Sequence, residues 1–210
     1  MSYRKRDSKV EKEISSFLDI YFYPKMVKNF NRYSSKEDQL SGKDVSFSYM
    51  RLSKLVVDEK AATHYINKNI RTFAFELSFL LKNGNEVEGW LIDDNKETEY
   101  YLLMWINAKS SWNLNKEDIT EINAILVSRK KILDFLNSIS YDKEKLKRAN
   151  RKIRLNRLDG AIGKQKNSEI YFYSSTKYLE SPINILIRKR KLESLALKNF
   201  KITKETIVEY

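Results

Sequence analysis

The chain contains no cysteine, which excludes disulfide bonds and zinc sites built from thiolates. This absence fits a reducing compartment, and we predict a cytoplasmic location. His64 is the only histidine, so the sequence offers no basis for a site with several imidazole ligands or for a Ser/His/Asp catalytic set. We therefore expect His64 to have a surface or core role rather than a catalytic one.

Proline and glycine are scarce, with two and five among the 210 residues, and no stretch has the composition of a flexible linker. We therefore predict a single domain over residues 1–210. Long hydrophobic runs are lacking as well. The longest, Tyr100 to Ile106, falls far short of the roughly 20 residues of a membrane-spanning helix, and we expect no membrane partner.

The charge of the chain is unevenly distributed. The net charge is +12; residues 1–109 hold 18 Lys and Arg against 16 Asp and Glu, whereas residues 110–210 hold 22 against 12. Such a surplus in one half indicates a polyanionic partner, with nucleic acid ahead of an acidic membrane surface. The alternative is a solvated basic surface that serves solubility alone.

The first half of the chain predicts one helix followed by a sheet. Residues 8–28 have apolar residues at three-to-four spacing, and Pro24 marks the end of this helix. Residues 29–43 are polar and predict a loop. Five strands follow, mostly antiparallel because their connections are short. They are DVSFSYM (44–50), KLVVDEKA (54–61), TFAFELSFLL (72–81), EVEGWLI (86–92) and EYYLLMWINA (99–108).

The second half predicts more helix. Residues 115–139 favour a helix, although the run AILV within them is also compatible with a strand. The remaining predictions are a basic helical or extended segment (142–160), strands at 168–175 and 181–190, and a closing helix at 189–200. The predicted fold class is α/β, a mixed central sheet flanked by helices. Residues 8–109 would form its core, and residues 110–210 a basic α+β part packed on that core.

Two acidic residues and a lysine stand at the ends of predicted strands. On a strand, alternate side chains share a face, so Asp58 and Lys60 point one way and Glu59 points the other. Asp44 begins the preceding strand, and a hairpin would bring Asp44 and Asp58 to one end of the sheet. Two adjacent carboxylates repel unless a proton or a cation lies between them. Oxygen ligands of this kind suit Mg²⁺, with Mn²⁺ as an alternative.

The stretches Gly42-Lys43-Asp44 and Val56-Val57-Asp58-Glu59-Lys60 resemble the PD-(D/E)xK motif of restriction-endonuclease-like nucleases. The resemblance covers roughly residues 10–106. It implies a restriction-endonuclease-like fold, metal ligation by Asp44 and Asp58, and a catalytic role for Lys60. The implied activity is Mg²⁺-dependent hydrolysis of phosphodiester bonds in DNA, and the implied assembly is a homodimer.

The same resemblance implies a glutamate on the first core helix that completes the metal site. Glu13 and Glu11 both flank the apolar face of the predicted helix, and Glu13 is our preferred ligand. Glu76 is a further candidate, as an extra ligand or as a support for Lys60; the alternative is a cross-strand partner for a basic residue. In three respects the sequence departs from the family pattern: no proline precedes Asp44, residues 29–43 show no clear first core strand, and no long helix follows Lys60.

The basic second half is the predicted nucleic-acid contact, with double-stranded DNA as the expected partner. Its Lys and Arg side chains lie on several faces of a predicted helix. This arrangement suits contacts with the phosphates of a nucleic-acid backbone more than recognition of the base sequence. The candidate residues are Lys147, Arg148, Arg151, Lys152, Arg154 and Arg157. The alternative to a nuclease is a non-catalytic nucleic-acid-binding protein with a degenerate nuclease fold. A protein with a basic surface for an acidic partner is the second alternative.

Overall fold

The computed structural model describes the backbone of residues 3–210 and the side chains of residues 8–210. The helices are α1 (Tyr3–Tyr21), α2 (Tyr23–Met26), α3 (Lys36–Leu40), α4 (Arg129–Ser138), α5 (Lys143–Leu155) and α6 (Lys189–Leu195). The strands are β1 (Lys28–Arg32), β2 (Val45–Tyr49), β3 (Leu52–Ala61), β4 (Thr72–Leu80), β5 (Glu86–Glu88), β6 (Tyr100–Ala108), β7 (Ile119–Ser128), β8 (Gly160–Ile162), β9 (Ile170–Ser174), β10 (Ile183–Arg188), β11 (Lys198–Ile202) and β12 (Ile207–Glu209). The chain is therefore a mixed α/β protein.

The chain divides into two compact units. Unit 1 combines the stretch that ends at Ile70 with residues 97–128 and 196–210, and unit 2 combines residues 71–96 with residues 129–195. Residues 110–210 thus contribute to both units. The predicted division into a nuclease-like core (residues 8–109) and a basic part that contacts nucleic acid (residues 110–210) concerns function, and it stays a prediction.

Unit 1 contains a seven-stranded mixed sheet in the order β1-β2-β3-β6-β7-β11-β12. Only β3 and β6 pair in parallel; the other neighbours are antiparallel. Helix α1 buries Val10, Ile14 and Phe17 in a core shared with Val57 of β3 and Leu102 of β6. The predicted amphipathic face is confirmed, although the helix ends at Tyr21 and Pro24 lies in the first turn of the separate α2.

Unit 2 contains a five-stranded antiparallel sheet in the order β5-β4-β10-β9-β8, together with helices α4, α5 and α6. On β10, buried residues alternate with half-buried ones, the pattern of a strand with one face on a core. The five strands predicted in the first half of the chain are therefore shared between two sheets. Among the described residues, no helix has the length and apolar character needed to cross a lipid bilayer.

Several predicted elements differ from the structure. The helix favoured for residues 115–139 is present only as α4, whereas residues 119–128 form β7, the strand with which the run AILV was also compatible. Ala124 to Val127 are buried on both faces between β6 and β11, where a strand completes the ladder. The predicted closing helix at 189–200 stops at Leu195, and residues 198–202 form β11, which pairs with β7 and β12. The predicted loop at 29–43 contains β1 and α3, and only residues 86–88 of the predicted strand 86–92 are a strand.

Candidate active site

The β2–β3 hairpin brings Asp44 and Asp58 together. Val45 pairs with Val57, and the Asp44 N–H donates to the Val57 carbonyl at 3.1 Å. Asp44 therefore lies opposite Asp58, and directly opposed residues of two strands share a face of the sheet. The convergence expected from the sequence is thus present in the fold.

The turn before Asp44 is held by several contacts. Gly42 has a φ of 76°, a left-handed conformation that favours glycine, and it follows the end of α3. Its carbonyl accepts a hydrogen bond of 2.7 Å from the buried Thr98 hydroxyl. Lys43 forms ion pairs of 3.1 Å with Asp38 and with Glu97. These contacts fix the direction in which the chain enters β2, and with it the position of Asp44.

Lys60 and the Glu59 backbone complete the cluster. The Lys60 Nζ lies 2.7 Å from Asp58 Oδ1, and the Asp58 side chain is 3% exposed against 29% for Lys60. Asp44 Oδ2 accepts a hydrogen bond of 2.7 Å from the Glu59 N–H. The Asp58 carboxyl is close enough to Asp44 to act on the protonation of the Asp44 side chain. Two carboxyls and one ammonium therefore form a continuous group that is largely shielded from water.

The electrostatics of this group follow from burial and from like charge. Burial, and then the negative charge of Asp58, raise the pKa of Asp44 to about 7, while the Lys60 charge opposes the shift. Burial disfavours the charge on Lys60, but the adjacent Asp58 and Asp44 hold the Lys60 pKa above its ordinary value. Near neutral pH the Asp44 carboxyl is consequently poised between its protonated and its ionised form.

The two helix glutamates have different surroundings. The Glu13 Oε2 accepts a hydrogen bond of 2.9 Å from the Lys116 N–H, at the start of the 3₁₀ turn Lys116–Asp118. Glu11 is close enough for its negative charge to help raise the Lys60 pKa. Glu11, the less favoured candidate, is therefore within electrostatic range of Lys60 from a helix that packs on the Val57 and Glu59 face of β3, whereas the Glu13 carboxylate is engaged with Lys116.

The opposite face of β3 carries a second polar cluster that the sequence did not reveal. Glu59 Oε1 accepts from the Tyr23 hydroxyl at 2.5 Å, and Glu59 Oε2 accepts from the Ser15 hydroxyl at 2.8 Å. Arg32 donates to both Glu59 oxygens at 3.0 and 3.1 Å and to Asp19 at 2.6 Å. This cluster of Ser15, Asp19, Tyr23, Arg32 and Glu59, the clamp network, joins α1, α2 and β1 to the strand that carries Asp58.

Burial and charge shift the pKa values of two members of the clamp network, Tyr23 and Arg32. Burial, followed by the Glu59 charge, raises the pKa of Tyr23 well above its ordinary value. Burial disfavours the charge on Arg32, but hydrogen bonds to Glu59 and Asp19 hold the Arg32 pKa above its usual range. The Glu59 N–H donates to Asp44, and the Glu59 side chain is held by Arg32 on the opposite face of β3. The clamp network therefore helps to fix the position of Asp44.

Two further residues considered from the sequence lie elsewhere. Glu76 is on β4, in unit 2, with Asn184 as its cross-strand neighbour. His64 is exposed on the 3₁₀ turn Thr63–Tyr65. The expected surface or core role of His64 is consistent with this position.

The predicted nucleic-acid residues fall into two groups on and after α5. Lys147 forms an ion pair with Glu88, and the Arg154 Nε donates to Glu86 at 2.8 Å, so both are used within unit 2. The other four are exposed, and none of them forms an ion pair among the described residues. They are Arg148, Arg151, Lys152 and Arg157.

Within the described residues, no group of three or more His, Cys, Asp or Glu side chains is arranged to hold a metal ion. The donor set at the hairpin is nevertheless of the kind that Mg²⁺ uses, since this ion takes one or two protein carboxylates and keeps several waters. The chain matches no protein-family model, no curated protein and no solved structure.

Proposed function

We propose that the chain is a Mg²⁺-dependent endonuclease that hydrolyses phosphodiester bonds in DNA. The observation that carries this proposal is the cluster of Asp44, Asp58 and Lys60 at the end of the β2–β3 hairpin. A partly buried carboxyl with a raised pKa, next to a second, buried carboxyl and a specific cationic partner, is typical of functional sites more than of ordinary surface ion pairs.

The fold supports the proposal in part. A restriction-endonuclease-like core has a strand before the one that carries the first acid, and β1, which precedes β2 and pairs with it antiparallel, would serve as that strand. Helix α1 packs on the same sheet and carries Glu11. After Lys60, however, the chain forms a 3₁₀ turn and then enters unit 2 through β4, where the family pattern has a helix. The restriction-endonuclease-like assignment is therefore part of the proposal.

Asp44 and Asp58 would hold the ion, and Glu11, within electrostatic range of Lys60, would add negative charge to the surroundings of the site. The residues fit because Asp44 and Asp58 present carboxyl oxygens at one end of the sheet, and a cation between them would offset the burial and the Asp58 charge that raise the Asp44 pKa. When bound, Mg²⁺ supplies positive charge against the phosphate and activates water. Mn²⁺ has similar ligand preferences and is expected to substitute.

The residues of the chain would then have distinct tasks. Asp44 gives up its proton near neutral pH and becomes a ligand, held in place by the Glu59 N–H. Asp58 stays buried and orients the Lys60 ammonium through their 2.7 Å contact. Lys60, 29% exposed, reaches solvent and donates to the attacking water or to a phosphoryl oxygen. The exposed cations of α5 contact the DNA backbone, which makes binding salt-dependent.

The experiment that tests the proposal is the nicking of supercoiled plasmid with Mg²⁺ or Mn²⁺ by the wild type and by Asp58→Asn. We expect metal-dependent nicking by the wild type and none by Asp58→Asn, since this variant keeps the shape of the side chain but loses its charge. The matched control is Asp134→Asn, whose carboxylate is 61% exposed on α4 and pairs with Lys130; it should cleave like the wild type.

The outcomes separate the candidate functions. If the wild type binds DNA in a salt-sensitive manner but does not cleave it, the degenerate, binding-only nuclease fold replaces the enzyme. If the wild type neither cleaves nor binds DNA, the basic surface serves an acidic protein partner. Equal nicking by the wild type and Asp58→Asn would place the activity at another site.

The two helix glutamates allow a matched comparison. Glu11→Gln should lower the cleavage rate by roughly 10- to 100-fold, the usual cost of disturbing the surroundings of a metal ligand. Glu13→Gln should leave the rate near that of the wild type, because Glu13 caps the turn at Lys116. Single-turnover cleavage rates measure both effects, and a larger loss for Glu13→Gln would reverse the assignment.

A further inference from the structure

Unit 2 contains a cavity of about 270 Å³ at the C-terminal end of α5. Its apolar lining consists of Leu80, Ile153, Leu158 and Ile183, of which Ile153 and Ile183 are buried. Pockets for drug-sized ligands begin at roughly 300 Å³, so this cavity suits a smaller planar group.

Three residues with hydroxyl side chains, all between the end of β9 and the start of β10, line the same cavity: Ser174, Thr176 and Ser181. The Thr176 N–H and hydroxyl both donate to Asp159 Oδ1, at 2.7 and 3.1 Å, and the Ser181 hydroxyl donates to the Tyr178 carbonyl at 3.1 Å, which fixes this part of the lining. Hydroxyl oxygens that donate within the protein still accept, and therefore suit the N–H groups on the edge of a nucleobase. An apolar lining with a few such groups is the usual composition of a ligand pocket.

Arg154 forms a rigid wall of the cavity. It donates to Ser78 at 2.7 Å, to Glu86 at 2.8 Å and to the Ser181 carbonyl at 3.2 Å. Arg157, which also lines the cavity, is exposed and forms no ion pair among the described residues. The site thus combines a preformed wall with a cation that is available to a phosphate.

The lining of the cavity and the neighbouring chain expose both cationic and apolar side chains. Arg157 and Leu158 of the lining are both exposed, Leu158 by 37%. Leu179, two residues before Ser181 of the lining, is 76% exposed. Duplex DNA presents phosphates to the cations but no base face to the leucines, whereas an unpaired nucleotide presents both.

We propose that this cavity binds an unpaired nucleobase, so that the preferred substrate is DNA with a bulged or single-stranded nucleotide. The base enters between the apolar lining and the hydroxyls, and a flanking phosphate contacts Arg157. The inference rests on the proposed function for nucleic acid as the ligand and adds the class of substrate. It concerns unit 2 alone.

The test measures DNA binding by the full chain in EDTA, which prevents cleavage. The probes are a perfect duplex and the same duplex with one bulged 2-aminopurine. The wild type should bind the bulged probe roughly 5- to 100-fold more tightly, the range expected for capture of one base. The fluorescence of 2-aminopurine should rise on binding, because the base leaves the stacked environment that quenches it.

The decisive variant is Thr176→Trp, which fills the cavity from an exposed position and keeps the backbone hydrogen bond to Asp159. It should lose the preference for the bulged probe and keep its affinity for the perfect duplex. The control is Asn167→Trp, an equally exposed change in the loop at the other end of the β8–β9 hairpin, which should behave like the wild type. Leu158→Gln serves as a second variant if Thr176→Trp has a lowered melting temperature.

Equal affinity of the wild type for the two probes would overturn the inference, as would retention of the preference in Thr176→Trp and Leu158→Gln. If Asp58-dependent nicking of plasmid persists in that case, the proposed nuclease function stands and only the cavity has been misassigned. If the wild type shows neither nicking nor binding of either probe, both proposals fail. The basic surface would then serve an acidic protein partner.

Discussion

Replacing Arg32 by methionine is expected to lower the free energy of unfolding by about 3–5 kcal/mol, the cost of leaving a buried charge without its partner. Glu59 would keep its hydrogen bonds from Tyr23 and Ser15 but lose both bonds from the guanidinium. Its side chain is only 5% exposed, so water cannot replace them, whereas Asp19, at 35%, is more readily hydrated. Urea denaturation, monitored by circular dichroism, measures this change in the free energy of unfolding.

Two further variants show whether the buried charge is the cause. Arg190→Met removes a guanidinium that is 70% exposed and pairs with Glu169, and its cost should stay within about 1 kcal/mol. Arg32→Met combined with Glu59→Gln should be more stable than Arg32→Met alone, because the second change removes the unpaired charge. A loss below about 1 kcal/mol for Arg32→Met would show that the clamp network contributes little to stability.

Replacing Asp44 by asparagine is expected to stabilise the metal-free protein at pH 8 and to have little effect at pH 4. The pKa of Asp44 is raised to about 7 by burial and by the charge of Asp58, so the folded protein holds this proton longer than the unfolded chain does. Stability from the protonated carboxyl is fully present below about pH 4 and is lost as the pH rises to about 7. The amide of the Asp44→Asn variant stays neutral over this whole range and escapes that loss.

The expected gain from Asp44→Asn at pH 8 is roughly 2–4 kcal/mol, since one pKa unit corresponds to about 1.4 kcal/mol and Asp44 is only partly exposed. Chemical denaturation in EDTA at several pH values measures it. Asp134→Asn, on the exposed face of α4, should show a difference of less than about 0.5 kcal/mol that does not vary across this range. A difference between wild type and Asp44→Asn that is the same at pH 5 and pH 8 would contradict the assignment of the raised pKa.

The same pair of proteins links stability to the proposed metal site. Mg²⁺ at pH 8 should raise the melting temperature of the wild type, because an ion that binds only the folded state stabilises it. It should raise that of Asp44→Asn much less, since one of the two ligands has lost its charge. An equal increase for both proteins would place the ion away from Asp44.

The placement of Asp44, Asp58 and Lys60 was predictable because it depends on local structure. All three lie within one hairpin, where the alternation of apolar and polar residues sets the face of each side chain. The buried run before Asp58 and the alternation in residues 44–50 identify the two strands, and the short connection makes them antiparallel. The amphipathic face of α1 was predictable for the same reason, since its period is carried by consecutive turns.

Other parts of the site depend on how distant segments pack. Glu11 and Glu13 flank the same apolar stripe, so only the rotation of α1 on the sheet decides which of them approaches Lys60. Arg32 lies in a stretch that had the composition of a loop, and nothing local indicates that β1 would carry it to Glu59. Long-range contacts of this kind have no signature in the spacing of neighbouring residues.

By itself, the amino-acid sequence determined an α/β chain with a hairpin that carries an acid, a second acid and a lysine on one face, and a basic second half. Only the tertiary structure decided that residues 119–128 are a strand, that the chain forms two units, and that the α5 cations divide into paired and exposed groups. The physical reason is that periodicity governs which face a residue takes within its own element, whereas the partner of that face comes from remote parts of the chain.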